Sequence, residues 1–244
     1  MNQLFFTQKI EQGFAHFDEE ESRHLVTVLR RKVGDLLELT DGRGFYYEAE
    51  IAETGKRHVL ARILKTTPAA QENAAALHLA IAPTKQIERI EWLLEKATEI
   101  GIAEITLLHC RRSERDTVRL DRLEKVLVSA MKQSLRAHLP KLNPMVRFQT
   151  FVTKVQAEQK YIAWCADTPL PHLKTLLQPG KNALVLIGPE GDFSPEEIQL
   201  AEANGYGIAT CWPAAAAATS TFPASWKEAS PSRRSPSSPR RPGP

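Results

Sequence analysis

Leu186-Ile187-Gly188-Pro189-Glu190-Gly191-Asp192-Phe193-Ser194-Pro195-Glu196-Glu197-Ile198 decides how the rest of the chain is read. The apolar run Ala183 to Ile187 that leads into it has the length and composition of a buried strand. Gly188-Pro189-Glu190-Gly191 then breaks the strand. Ser194 stands as a helix N-cap, with Pro195 at the first helical position and Glu197 three residues beyond the cap, the spacing of a capping box. A strand, a tight loop and a helix start are therefore specified in thirteen residues. In open parallel sheets ligands bind beyond the carboxyl ends of strands, and glycine lets a ligand approach the backbone closely. On local grounds alone the same string is more often a plain strand-to-helix turn, since a lone G-P-E-G is a weak signal.

Outward from this loop the chain alternates strands and helices. Leu77 to Ala82, Ile105 to His109, Tyr161 to Cys165 and Gly207 to Thr210 are further strand candidates. Ile87, Ile90, Leu94 and Ala97 recur at helical spacing, and a second amphipathic helix is predicted from about Leu120 to Ala137. The alternation implies an α/β fold with a mostly parallel sheet covered by helices on both faces over residues 77–210. Residues 1–67 read differently. A short helix from acidic Asp18-Glu19-Glu20-Glu21 to basic Arg30 is followed by strands split at the turn Asp41-Gly42-Arg43-Gly44, the pattern of a small β-barrel. The polar, Ala-rich stretch 68–76 reads as a linker.

The 244 residues are 42% hydrophobic and 25% charged, which excludes fibrous and wholly disordered classes. Residues 211–244 depart from this. They hold seven Ala, seven Pro and seven Ser with no Leu, Ile, Val or Met, and cannot bury enough apolar area to offset ordering entropy. Disorder is expected there, and the abrupt onset after Thr210 reads as a shifted frame. Of the net charge of +3, this segment carries +4, so the first 210 residues sum to −1. An RNA-binding argument must therefore rest on local patches. The N-terminus has no basic and apolar leader pattern, and the longest uncharged stretch, Ala203 to Trp226, is broken by Pro213 and Pro223. A cytoplasmic protein without a membrane span is expected.

Several chemistries lack their signatures. There is no G-x-G-x-x-G after a strand, no P-loop, no H-E-x-x-H and no G-x-S-x-G. Cys110, Cys165 and Cys211 are far apart in sequence and pair with no histidine at ligand spacing, so buried thiols and no metal site are expected. Basic clusters do occur. Arg30-Arg31-Lys32 closes the first helix, Arg111-Arg112 with Arg115 follows a strand, and Lys132 with Arg136 is read as one turn apart on the second helix. Each is compatible with a solvated face, and together they fit phosphate-backbone contacts.

Lys85-Gln86-Ile87-Glu88-Arg89-Ile90-Glu91-Trp92-Leu93-Leu94-Glu95-Lys96-Ala97-Thr98-Glu99-Ile100-Gly101 resembles the helix of the SPOUT-type 16S ribosomal RNA uracil-N3 methyltransferases. Arg112-Ser113-Glu114, Lys132-Gln133-Ser134-Leu135-Arg136 and the Ile187 to Phe193 loop are similar to further signatures of that family, in the same order. His24-Leu25 to Arg30, Val33-Gly34-Asp35 and the Asp41 to Gly44 turn resemble its PUA-like barrel. The likeness covers about residues 1–210. It implies a trefoil-knot α/β domain after a PUA-like RNA-binding barrel, usually in a homodimer. The implied activity is transfer of a methyl group from S-adenosylmethionine to N3 of a uridine in the 16S RNA of the small ribosomal subunit. Ile187, Gly188, Pro189, Glu190 and Gly191 are implied to shape the cofactor site. Arg30, Arg31, Lys32, Lys85, Arg112 and Arg136 are the candidates for RNA phosphates or for placing the base. No residue is assigned to N3 deprotonation. Family members continue after Thr210 with an arginine-containing loop and a final helix, which close the knot, complete the cofactor pocket and supply much of the dimer interface. Cys211-Trp212-Pro213 and the tail stand there instead, so an incomplete knot is expected, with a catalytically inactive RNA-binding protein or a misfolded product as the alternative function.

Overall fold

The computed structural model describes residues 3–55, 57–70, 75–166 and 168–211. The first of its two six-stranded sheets comprises β1 (Leu4–Phe6), β2 (Ile10–Glu11), β3 (Phe14–Phe17), β4 (Leu36–Thr40), β5 (Phe45–Thr54) and β6 (Val59–Pro68), in the order β1-β4-β5-β6-β3-β2. Period-2 patterning decides which face closes. Leu37 and Leu39 of β4, Ala49 and Ile51 of β5, and Val59 and Ala61 of β6 are buried together with Phe5, Ala15, Phe17 and Leu25. The helix α1 (Glu19–Arg23) starts where the Asp18 carboxylate accepts the Glu21 N–H at 2.8 Å, with three glutamates in its first turn. It runs on as one π-type turn, His24–Val28, and the backbone then turns sharply at Arg30, whose φ is +56°. Arg30-Arg31-Lys32 thus follows the helical run rather than lying on it.

The second sheet comprises β7 (Leu77–Ile81), β8 (Glu104–His109), β9 (Lys141–Arg147), β10 (Gln159–Ala163), β11 (Ala183–Ile187) and β12 (Gly207–Ala209). Its order is β12-β10-β11-β7-β8-β9 and all neighbours are parallel. One face packs on α2 (Ile87–Ile100) and α3 (Leu120–Gln133), where Ile90, Leu94, Leu123 and Leu127 meet Leu79, Ile81, Ile105, Leu107 and Val185. The other packs on α4 (Phe148–Lys154) and α6 (Pro195–Ala203), where Phe148, Phe151, Ile198 and Ala201 meet Ala80, Leu108, Ile162, Leu184 and Leu186. Coverage on both faces explains why β11 is an unbroken apolar run rather than an alternating one. A short α5 (Leu173–Leu176) precedes β11.

Helices α4 and α5 are absent from the pattern read in the sequence, and two further features differ from it. Strand β9 escapes detection because it is an edge strand whose Lys141, Asn143 and Pro144 suit an edge and conceal its strand character. Helix α3 stops at Gln133, four residues early. The Ser134 hydroxyl donates to the Ala130 carbonyl at 2.7 Å, and Leu135 takes a left-handed φ of +55°, which ends the helix. Lys132 and Arg136 are therefore not one turn apart on a helix. Of the tail 211–244, read as disordered and standing in place of the knot-closing segment, Cys211 is described and residues 212–244 lie outside the described residues.

The two sheets meet through backbone. The Gly44 N–H donates to the Ala137 carbonyl and the Leu139 N–H to the Gly42 carbonyl, both at 2.9 Å. The Tyr46 hydroxyl donates to the Leu135 carbonyl at 2.7 Å, and Lys132 pairs with Glu21 and Lys125 with Glu20. The Asp41 to Gly44 turn is thus docked on the segment that joins α3 to β9.

Candidate functional site

Along the second sheet the chain steps outward from β7 through β8 to β9, then returns to the far side for β10 and inserts β11 beside β7. This reversal falls between β7 and β11, and in α/β sheets ligands bind at the carboxyl ends of the strands that flank such a reversal. Residues 188–194 lie there.

Residues 190–194 of that loop are each fixed by a partner. The Ser194 hydroxyl accepts the Glu197 N–H at 3.3 Å and the Glu197 carboxylate accepts the Ser194 N–H at 2.8 Å, the capping box expected from the sequence. The other Glu197 oxygen accepts the Arg111 N–H at 2.8 Å, tying the exit of β8 to the start of α6. Phe193 is fully buried against Phe148, with ring centroids 5.3 Å apart. A Cβ on Gly188 would sit 3.1 Å from the Phe193 ring and 3.2 Å from its backbone nitrogen, so the turn closes tightly only around glycine. Asp192, at φ +59°, accepts the Phe193 N–H with one carboxylate oxygen and the Cys165 N–H, at 2.9 Å, with the other. It joins the loop to the exit of β10. Removing the cap with Ser194→Ala should cost about 1 kcal/mol and lower the thermal midpoint by roughly 2–4 °C, measured by calorimetry.

The exits of β7 and β8 complete the ring. The Glu190 carboxylate accepts the Lys85 N–H at 2.8 Å. Arg112 donates from Nη1 to the Gly191 carbonyl at 2.7 Å, and Arg115 donates to the carbonyls of Thr84 and Lys85 at 3.2 and 2.6 Å. The Lys85 ammonium pairs with Glu114 at 3.0 Å, and the hydrogen bond from that carboxylate raises its pKa. Burial, and then the Asp192 carboxylate, push the Cys165 thiol up. Gly191 is exposed, and a Cβ there would make only ordinary contact with the Arg112 side chain at 3.5 Å. The loop thus presents bare backbone at its rim while its own carboxylates are occupied by backbone N–H groups. That suits a ligand recognised through peptide groups and close packing rather than through a charge partner.

The structure brings Ile187, Gly188, Pro189, Glu190, Gly191, Lys85 and Arg112 to this one place. It puts Arg136 elsewhere, at the junction of the sheets, where its Nε donates to the Glu99 carbonyl at 2.7 Å. Arg30, Arg31 and Lys32 lie in the first unit and make no ion pair among the described residues. Asp192 is not among the site residues read from the sequence, and Arg115 enters there only as part of a basic cluster. Asp192 has a local signal, an Asp at a turn before a cap. The role of Arg115 has no local signal, since the carbonyls it serves lie 30 and 31 positions away.

The model of the RNA methyltransferase domain matches residues 71–210, more than half of the chain, and the model of the RNA methyltransferase PUA domain matches residues 17–64. The chain belongs to the RNA methyltransferase domain family. It is 34% identical to a probable rRNA-methyltransferase from Porphyromonas gingivalis of known structure, with a TM-score of 0.80 over 86% of this chain and 90% of that one. A Legionella pneumophila protein described as a methyltransferase, solved with the cofactor SAM bound, is 26% identical, with a TM-score of 0.76 over 87% of this chain and 90% of that one. The ribosomal RNA small subunit methyltransferase E of Buchnera aphidicola is 26% identical over 203 residues, 80% of this chain and 79% of that protein. The SPOUT-type α/β unit with a PUA-like sheet before it is therefore the family's fold, and the chain's class is methyltransferase. Among the described residues no helix is long and apolar enough to cross a membrane.

Proposed function

We propose that this methyltransferase uses S-adenosylmethionine to methylate 16S ribosomal RNA of the small subunit at N3 of a uridine, in the cytoplasm. The observation that carries the reading is the glycine-edged loop 188–193, latched to the exits of β7, β8 and β10 within a chain matched by the family model. The names of the relatives support ribosomal RNA as substrate, and the Legionella structure supports the cofactor.

The cradle at Gly188 and the bare rim at Gly191 fit an adenosine-bearing cofactor held by backbone. Ile187, Gly188, Pro189, Glu190 and Gly191 would hold it. When bound, it supplies an electrophilic methyl group, so the protein's own work is orientation and stabilisation of the charge that develops on the base. Arg112 and Arg115 act as positioning residues that hold the two loop backbones in register. Asp192 keeps the β10 exit against the same loop.

On this reading residues 1–67 contact RNA and residues 77–210 carry the donor site. Of the six candidate RNA cations, Lys85, Arg112 and Arg136 are engaged with partners inside the chain. Arg30, Arg31 and Lys32 therefore form the patch with charge to offer phosphates. Arg30→Ala should weaken binding to RNAs of different sequence alike and reduce the slope of log affinity against log salt by about 0.7–0.9. Fluorescence anisotropy at several salt concentrations checks this, and an unchanged slope removes Arg30 from the interface.

Isothermal titration of the full chain with S-adenosylmethionine tests the assignment. Saturable binding at one site per chain is expected. Absence of binding, with RNA affinity intact, would sink the enzymatic reading and leave an RNA-binding protein without methyl transfer.

A further inference from the structure

Strands β10 and β12 are adjacent and parallel, with Tyr161 opposite Gly207, Ile162 opposite Ile208 and Ala163 opposite Ala209. The pairing continues one step beyond the strands, because the Trp164 N–H donates to the Ala209 carbonyl at 2.9 Å. The next residues in that register are Cys165 and Cys211. Neighbouring strands run about 4.8 Å apart, which falls inside the Cα separation that a disulfide spans. Both cysteines are exposed, unlike Cys110, which is buried. Each chain is also held where it leaves the sheet. Asp192 accepts the Cys165 N–H, and Thr210 is bridged to His172, with its N–H donating to the Pro171 carbonyl at 3.0 Å. After burial, the nearby Cys165 thiol is the second cause that pushes the Cys211 thiol up, which places the two sulfurs close together; since the Cys165 thiol is also raised, the attacking thiolate is the minor form at neutral pH and closure should speed up as pH rises.

We propose that Cys165 and Cys211 are a thiol–disulfide pair that closes under a hydroperoxide oxidant and ties the exit of β10 to the exit of β12. One thiolate attacks the peroxide O–O bond, giving a sulfenic acid and one molecule of water from hydrogen peroxide. The second thiol, as its thiolate, displaces the sulfenic oxygen, which leaves as a second water, and the S–S bond forms. Two thiols lose two protons and two electrons, and one peroxide takes them up. The pair owes nothing to the methyltransferase reading, so either can fail without the other.

The test treats the full chain with hydrogen peroxide, blocks remaining thiols by alkylation in acid-quenched denaturant and digests with trypsin. Cys165 lies in the peptide Tyr161 to Lys174 and Cys211 in Asn182 to Lys227, so a bond between them joins two separate peptides. The expected result is loss of two of the three thiols, a mass lower by about 2 Da and recovery of that linked pair. Cys165→Ser and Cys211→Ser should each abolish the linked pair. A chain that keeps all three thiols, forms only intermolecular links or sulfinic acid, or links through Cys110 would overturn the proposal. Peptide mapping of the unsubstituted chain decides this even if a serine variant fails to fold.

Discussion

Gly191→Trp is expected to weaken S-adenosylmethionine binding at least 100-fold, about 2.7 kcal/mol, while leaving the fold intact. The separation of effects follows from where Gly191 sits. It is exposed, its Cβ would touch only the Arg112 side chain at 3.5 Å, and its backbone is not among the left-handed glycines. An indole therefore adds bulk at the exposed edge of the loop without disturbing Phe193, which packs on Phe148. Calorimetric titration measures the affinity, and thermal unfolding should stay within about 2 °C of the parent, as befits a surface substitution. Unchanged affinity would move the donor site away from this loop.

Gly42→Val should have the largest effect on the coupling between the two sheets. Gly42 has φ +74°, which a β-branched residue scarcely adopts, and its Cβ would lie 3.0 Å from Leu139 Cβ and 3.1 Å from the Phe6 ring. Leu139 Cβ cannot move without its backbone, and that backbone N–H donates to the Gly42 carbonyl. We expect a loss of about 2–4 kcal/mol, the sum of strain and crowding. If the docked turn fixes the RNA-binding unit relative to the donor site, methylation of RNA should fall at least tenfold at a temperature where the variant is folded, with donor affinity nearly unchanged. Equal losses in both would show that the substitution acts through global stability alone. Hydrogen exchange at residues 135–139 reports whether the junction has opened.

Gly191→Trp follows from the sequence of the loop alone, whereas Gly42→Val needs the contact with Leu139, 97 positions away. The loop was legible because its determinants are local. A buried strand, a glycine turn, a serine cap and a glutamate three residues on lie within thirteen positions, and each constrains its neighbours directly. The same holds for α2, where Ile90, Leu94 and Ala97 share a face at helical spacing and are buried as read. The end of α3 was misplaced because propensity favours continuation through Leu135 and Arg136. What stops it is a serine back-bond and the docking of Tyr46 and Gly44 on the residues beyond, partners some 90 positions away. The basic residues show the same limit. Arg112 and Arg30 look alike in sequence, yet one serves the carbonyl of Gly191 and the other faces solvent.

By itself, then, the sequence determined most of the buried strands, the helices α2 and α6, the parallel sheet and the place where the chain leaves β11, because periodicity and capping act over a few residues. The tertiary structure alone decided which carboxyl ends converge, which cations are already spent on backbone carbonyls, how the Asp41 to Gly44 turn locks one unit to the other, and that Cys165 stands beside Cys211. Those outcomes depend on strand order and register, which bring together groups far apart along the chain and leave no local pattern to read.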